Sequence, residues 1–120
     1  SGGDVIFAVA GASGLGVIST AVKTRKYVIG VDMNQDSLAP GLVLTSMLKR
    51  VDLVVEDIAR SLSQNANPAE VKRSYGLADG AVGLTDFQLS FKVVGEDLIS
   101  ELHQIRKDII DKKIVTSESK

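Results

Sequence analysis

The stretch from Val5 to Asp32 constrains the fold more than any other part of the sequence. It begins with an uninterrupted apolar run, VIFAVA at residues 5–10, and continues into a glycine-rich segment, GASGLG at 11–16. An amphipathic stretch follows, and then a second apolar run, YVIGV at 27–31, which ends at Asp32. This order of segments is typical of a βαβ unit. The sequence therefore predicts an α/β fold built from βαβ units around a parallel sheet.

The ends of these two predicted strands form a candidate binding site. Apolar runs without alternation suit strands that are covered on both faces, and ligands of such sheets bind outside the carboxyl ends of the strands. Gly11 and Asp32 stand at two neighbouring carboxyl ends, so bare backbone and a carboxylate can reach one ligand. The first turn of the helix adds unpaired N–H groups. There are structural alternatives to a binding role: the glycines could serve only to form a tight turn, and Asp32 could serve only as a turn or cap residue.

The same unit has a second functional interpretation. An acidic residue about 20 positions after the first glycine would hold a ribose hydroxyl in a dinucleotide-binding fold, and Asp32 fits that spacing. The glycines, however, follow the order Gly-x-x-Gly-x-Gly, which reverses the fingerprint order. A nicotinamide-dependent oxidoreductase is therefore the less favoured hypothesis.

The rest of the chain predicts short strands and amphipathic helices. Helices are expected at about residues 15–24, 50–64 and 96–112. Ser13 would cap the first of them, and the second would begin next to Lys49. Strands are expected at residues 42–46, 71–77 and 81–84, with a turn at 78–80 that includes Asp79. Residues 85–94 fit either a strand or an extended cover over the core. Residues 114–115 are expected to add an edge contact, and residues 116–120 are expected to be frayed.

The last two helices carry apolar stripes at helical spacing, which predicts that these faces are buried. The stripes consist of Val51, Val54, Val55, Ile58 and Leu62, and of Leu98, Leu102, Ile105 and Ile109.

Composition excludes several classes of function. The chain has 120 residues, of which 44% are hydrophobic, and its net charge of −1 gives no reason to expect nucleic acid as a partner. Without cysteine it has no disulfide, thiolate metal site or cysteine nucleophile, and His103 has no second histidine beside which to bind a metal. No catalytic residue, metal site or cofactor is predicted. The sequence also lacks an apolar run of the ~18 residues that a membrane span requires.

Several segments together resemble the basic membrane protein family, which comprises lipoprotein substrate-binding proteins and includes the purine nucleoside receptors of ABC transporters. The segments are DVIFAVAG at residues 4–11, GLGV at 14–17, YVIGVD at 27–32, LAP at 38–40, VLTSMLKRV at 43–51, YGL at 75–77, GAVGL at 80–84 and DIIDKKI at 108–114. They cover essentially the whole chain in the order that the family shows.

The resemblance implies the C-terminal portion of a type I periplasmic-binding-protein fold, with residues 1–120 forming an incomplete unit whose N-terminal part is missing. In that family two α/β lobes close on a nucleoside without catalysis. The residues that would line the cleft match Gly11, Asp32 and Lys49. Asp32 would accept hydrogen bonds from ribose hydroxyls, Lys49 would donate to the sugar or base, and Gly11 would let the sugar approach the backbone.

The resemblance also implies partners and a location. The intact protein would be a membrane lipoprotein, periplasmic or at the cell surface, that is anchored by an upstream lipid and presents a purine nucleoside to an ABC permease. The aromatic residues that sandwich the purine would lie upstream, and Asn34 stands where many relatives carry an acidic residue. A surface adhesion protein on the same fold is an alternative. The predicted sheet edge at Val5 favours a homo-oligomer or a strand exchange.

Overall fold

A four-stranded sheet organises the chain, and a computed structural model describes residues 2–116. The strands are β1 (Val5–Phe7), β2 (Tyr27–Asp32), β3 (Val43–Lys49) and β4 (Val82–Leu84). Their order across the sheet is β1-β2-β3-β4, and β1, β2 and β3 run parallel while β4 runs antiparallel to β3. The predicted α/β class with a largely parallel sheet is confirmed.

Four α-helices accompany the sheet within the described residues: α1 (Gly14–Thr24), α2 (Val51–Ser63), α3 (Phe91–Val94) and α4 (Glu96–Ile110). Two 3₁₀ turns lie at Gly11–Ser13 and Asp36–Leu38. The β1–α1–β2 segment is the predicted βαβ unit. The predicted side-chain cap is wrong, because the first 3₁₀ turn leads directly into α1 and holds Ser13 in a helical conformation without a capping hydrogen bond.

The core lies where α1 packs against the first strands and the β2–β3 connection. Six buried apolar residues form it: Ala8, Ile18, Ala21, Ala39, Val28 and Val43. Val28 and Val43 are fully buried and face each other in the register of β2 and β3. Burial of a valine side chain contributes about 1.5–3 kcal/mol, so this pair anchors the central strands.

The first strand is shorter and more exposed than predicted. It ends at Phe7 rather than at Ala10, because the N–H groups of Val9 and Ala10 donate to carbonyls two residues back and turn the chain. All three residues of β1 are exposed, so the expected cover on both faces is wrong for this strand. The expected burial is found in the middle of β2 and β3, whose residues are buried or half-buried.

The structure differs from three of the later predictions. β3 continues through Lys49 because residues 47–49 pair with β4, so Lys49 ends a strand rather than starting a helix. Residues 71–77 form no strand, whereas β4 and the turn before it agree with the prediction. Residues 85–94 form neither a strand nor an extended cover: the chain turns at the buried Phe87, which has φ 61°, and ends in α3.

The last helix ends slightly earlier than expected, at Ile110, and Lys112 beyond it has a left-handed φ of 60°. The expected edge contact at residues 114–115 is wrong, because Val115 is 85% exposed. The predicted frayed end at 116–120 falls, from residue 117 onward, outside the described residues.

The two apolar stripes are only partly buried. Half-buried members include Val54 and Ile58 in α2 and Leu102 and Ile109 in α4. The exposed members are Val51, Val55, Leu62, Leu98 and Ile105. The sheet and its loops therefore cover only part of each helix face.

Candidate functional site

Three parallel strands end at the same edge of the sheet, and one predicted site residue lies at or just after each of these ends. Asp32 is the last residue of β2, and Lys49 is the last residue of β3. Gly11 opens the 3₁₀ turn that follows β1. Because β2 and β3 are parallel neighbours, Asp32 and Lys49 lie at one edge of the sheet, and Gly11 follows the turn by which the chain leaves β1.

Asp32 and Lys49 contact each other directly. Lys49 Nζ lies 3.1 Å from Asp32 Oδ1, and the strand register places Asp32 opposite Leu48, the residue before the lysine. Their side chains are 51% and 55% exposed. A carboxylate that accepts and an ammonium that donates hydrogen bonds stand side by side and open to solvent, which suits adjacent hydroxyl groups of a neutral ligand.

Local backbone structure explains the position of both side chains. Asp32 has a left-handed φ of 70°, a conformation that aspartate tolerates better than most residues. Lys49 is held by pairing with Val82 in β4, and the next residue, Arg50, donates its N–H to the Ala81 carbonyl at 2.7 Å.

The charge of the neighbouring arginine is already paired. Arg50 donates to Asp52 from two guanidinium nitrogens, and its Nη2 lies 2.7 Å from Asp52 Oδ2. The hydrogen bond from Arg50 lowers the pKa of Asp52 below its ordinary value. Lys49 is therefore the basic partner that Asp32 contacts at this edge.

Gly11 contributes open backbone at the same edge. Its φ of 51° lies in the left-handed region that favours glycine, and a Cβ at this position would meet no atom within 4 Å. The space above the turn is therefore free, as close approach of a ligand to the backbone requires.

A buried polar network beneath Asp32 was missed by sequence reasoning. Ser46 of β3 is fully buried and donates from Oγ to Asp36 Oδ1 at 2.7 Å, while the Gln35 N–H donates to the same Oγ at 3.0 Å. On the other side of β3, Thr85 Oγ1 accepts from the Ser46 N–H at 2.9 Å. Gly30 was the available signal, because an isolated glycine within a strand often marks a close approach.

A second cluster attaches the segment before β4 to α2. Tyr75 donates its hydroxyl to Asp57 Oδ2 at 2.8 Å, and burial followed by the contact with Asp57 raises the pKa of Tyr75. Asp79 binds Lys72 and accepts from the Gly76 N–H at 2.9 Å, and the Lys72 contact is the main cause of its lowered pKa. Asp79 is thus a turn residue, as predicted.

Several cavities open on the described part of the chain. One of about 600 Å³ opens between β4 and α4, and its lining, which includes Met47, Leu84 and Ile109, is mainly apolar. Such a lining offers few partners for a polyhydroxylated ligand. Over residues 2–116 no group of three or more acidic or histidine side chains could hold a metal ion, and no helix is long and apolar enough to span a membrane.

Comparison with known proteins identifies similar sequences across the whole chain. The family Bmp, described as "ABC transporter substrate-binding protein PnrA-like", matches residues 1–120. A "CD4+ T-cell-stimulating antigen" of Listeria monocytogenes serovar 1/2a is 34% identical, over 98% of this chain and 37% of its own length. "Basic membrane protein A" of Borreliella burgdorferi is 32% identical, over 98% of this chain and 34% of its own length. The chain therefore spans little more than a third of these curated relatives.

A solved structure supports the fold. The crystal structure of a transcriptional activator of the comK gene from Bacillus halodurans superposes with a TM-score of 0.81, covering 95% of this chain and 39% of the other. At 19% sequence identity, this similarity concerns the fold alone.

Proposed function

The chain belongs to the Bmp family of PnrA-like ABC transporter substrate-binding proteins, and we propose that its intact protein binds purine nucleosides for import. The observation that carries this proposal is the exposed contact between Asp32 and Lys49 at the carboxyl ends of two parallel strands. Membership of a substrate-binding family supports binding rather than catalysis, and we propose no enzymatic activity.

The chemistry of the pair suits the ribose of a nucleoside. Asp32 accepts hydrogen bonds from the ribose hydroxyls, and Lys49 donates to the sugar or to the base. Gly11 lets the sugar approach the backbone, because its left-handed turn leaves open space where a side chain would stand. A hydrogen bond to a charged group contributes about 1.5–3 kcal/mol, so contacts of Asp32 with the sugar would carry a large share of the affinity.

The described chain supplies only one wall of a binding cleft. In the intact protein, a second lobe closes over this edge, excludes water and supplies the surfaces that contact the base. The closed form is then presented to the permease of an ABC importer. The names of the Borreliella relatives support a location at the membrane, which we propose is reached through an upstream lipid anchor.

Titration calorimetry of the intact protein tests this function. Inosine, adenosine and guanosine serve as ligands, NAD as the competing class, and Asp32→Ala as the variant. We expect binding of at least one nucleoside and a loss of affinity in the variant. Unchanged affinity in Asp32→Ala would contradict the proposed ribose contact. Tight binding of NAD without a nucleoside response would favour the dinucleotide alternative.

A further inference from the structure

The connection between β2 and β3 is tied to the buried part of the sheet by side chains. The fully buried hydroxyl of Ser46 accepts from the Gln35 N–H at 3.0 Å and donates to Asp36 Oδ1 at 2.7 Å. Asp36 is 6% exposed, and its N–H donates to Asn34 Oδ1 at 2.9 Å. The loop that follows Asp32 is therefore fixed to β3, the strand that carries Lys49.

The Gln35 side chain reaches back to the residue before Asp32. Its Oε1 accepts from the Val31 N–H at 3.1 Å, so the same glutamine holds the strand end through its side chain and Ser46 through its backbone. Gly30 makes this possible. A Cβ at Gly30 would lie 2.7 Å from Gln35 Oε1 and 2.8 Å from Ser46 Oγ, which is too close for either atom to stay in place.

These contacts hold the chain on both sides of Asp32. The left-handed φ of 70° at Asp32 is uncommon outside glycine, although aspartate tolerates it better than most residues, so contacts on either side of Asp32 help to hold this backbone. Gln35 accepts from the N–H of the Gly30–Val31 peptide, one peptide before the bond that joins Val31 to Asp32, and the Ser46 and Asp36 contacts fix the loop after Asp32. This conformation places the carboxylate 3.1 Å from the Lys49 ammonium.

We propose that Gln35 is a positioning residue for recognition of the two ribose hydroxyls, acting through the carboxylate of Asp32. The inference rests on the proposed function, because it assigns a role toward the same ligand. Gln35 does not contact the sugar in this account. It sets the angle at which Asp32 meets the 2′- and 3′-hydroxyls, so it determines discrimination between a ribose and a sugar that lacks them.

The test compares two ligands on the intact protein by titration calorimetry. Inosine carries both hydroxyls, and 2′,3′-dideoxyinosine carries neither. Gln35→Met keeps the volume of the side chain and removes the acceptor for the Val31 N–H. We expect this variant to lose about tenfold in affinity for inosine and less than about twofold for dideoxyinosine, because only the first ligand uses the carboxylate. Gln64→Met, at the exposed end of α2, is the matched control.

A second variant and a double variant keep the test decisive. Gly30→Ala places a Cβ 2.7 Å from the same Gln35 Oε1 and should reproduce the ligand-selective loss, whereas Gly83→Ala, a strand glycine with open space around it, should not. In Asp32→Asn the further change Gln35→Met should have less than about a twofold effect on inosine affinity, since residues that act through one contact are not additive.

The outcomes separate the two proposals. The positioning role is overturned if Gln35→Met loses affinity equally for both ligands or loses affinity for neither. If Asp32→Asn removes the preference for inosine while Gln35→Met does not, only the positioning role fails. If Asp32→Asn leaves inosine affinity unchanged, the ribose contact and the positioning role fail together.

Discussion

At the residue scale, the contact between Asp32 and Lys49 contributes little to stability. Both side chains are about half exposed, and ion pairs of this kind contribute about 0–1 kcal/mol to folding because water and salt screen them. The same exposure leaves both groups accessible to a ligand. An ion pair that adds little to the fold and stands at the carboxyl ends of parallel strands fits a recognition role.

Replacement of the lysine tests that distinction. In Lys49→Met the melting temperature of the intact protein should change by no more than a few degrees, whereas nucleoside affinity should fall about tenfold through loss of a charged donor. Calorimetry and thermal denaturation measure the two quantities. Lys92→Met, an exposed lysine of α3, is the control. A large drop in melting temperature with unchanged affinity would show that Lys49 is structural.

The position of Asp32 at the end of β2 followed from the sequence, whereas Gly11 lies four residues beyond the end of β1 and the supporting contacts left no signal that predicted them. Two apolar runs that end in a glycine and an acid predict neighbouring strand ends, because parallel strands share their carboxyl edge. Gln35 and Ser46 are 11 residues apart and on separate elements, so their hydrogen bond depends on how the loop folds back. Such a contact leaves no local pattern, apart from the need for glycine at position 30.

At the element scale, local periodicity predicted the helices better than the strands. The limits of α1 and α2 fall within one or two residues of those expected, because amphipathic spacing acts within the helix itself. β3 was predicted to end at Ser46, yet it extends to Lys49 through pairing with β4, more than 30 residues away. Residues 71–77 have strand-like composition but find no strand partner and instead contact α2 through Tyr75.

The attachment of this segment should depend on acidity. The hydrogen bond from Lys72, with a second from the Gly76 N–H, lowers the pKa of Asp79 below its ordinary value of 3.8. The unfolded chain therefore binds the proton more readily, so the contribution of Asp79 is present above about pH 4 and is lost as the pH falls through the lower, folded-state pKa.

Urea denaturation at pH 5 and pH 3 measures this effect. We expect the parent protein to lose stability between the two values, and Asp79→Asn to show a smaller difference because it lacks the titrating group. Asp86→Asn, another exposed aspartate, is the matched control and should retain the parent's difference. An identical pH dependence in Asp79→Asn and the parent would contradict the role assigned to the Lys72 contact.

At the scale of the whole molecule, the chain exposes more surface than a compact protein of its size. Its accessible surface is 8620 Å², whereas a compact protein of this mass exposes about 6,200 Å². Its radius of gyration is 17.0 Å, against about 14 Å for a compact chain of this length. The exposed large apolar side chains include all of β1 and parts of the α2 and α4 stripes. These faces are suited to pack against further protein.

The isolated 120-residue chain should consequently bind nucleosides poorly. Under the proposed function it offers the Asp32–Lys49 edge without the second lobe that would cover the ligand, and an uncovered ligand keeps most of its contact with water. We expect at least about a tenfold weaker affinity than in the intact protein, or none that calorimetry detects. Equal affinity of the isolated chain and the intact protein would mean that the second lobe contributes nothing to the site.

The most direct test of the central claim compares Asp32→Asn with the parent in the intact protein. Asparagine keeps the size of the side chain and tolerates the left-handed backbone, so the change removes mainly the negative charge. We predict that affinity for inosine falls about tenfold or more while affinity for 2′,3′-dideoxyinosine stays nearly constant. If the variant binds inosine as tightly as the parent does, the carboxylate at the end of β2 does not hold the sugar.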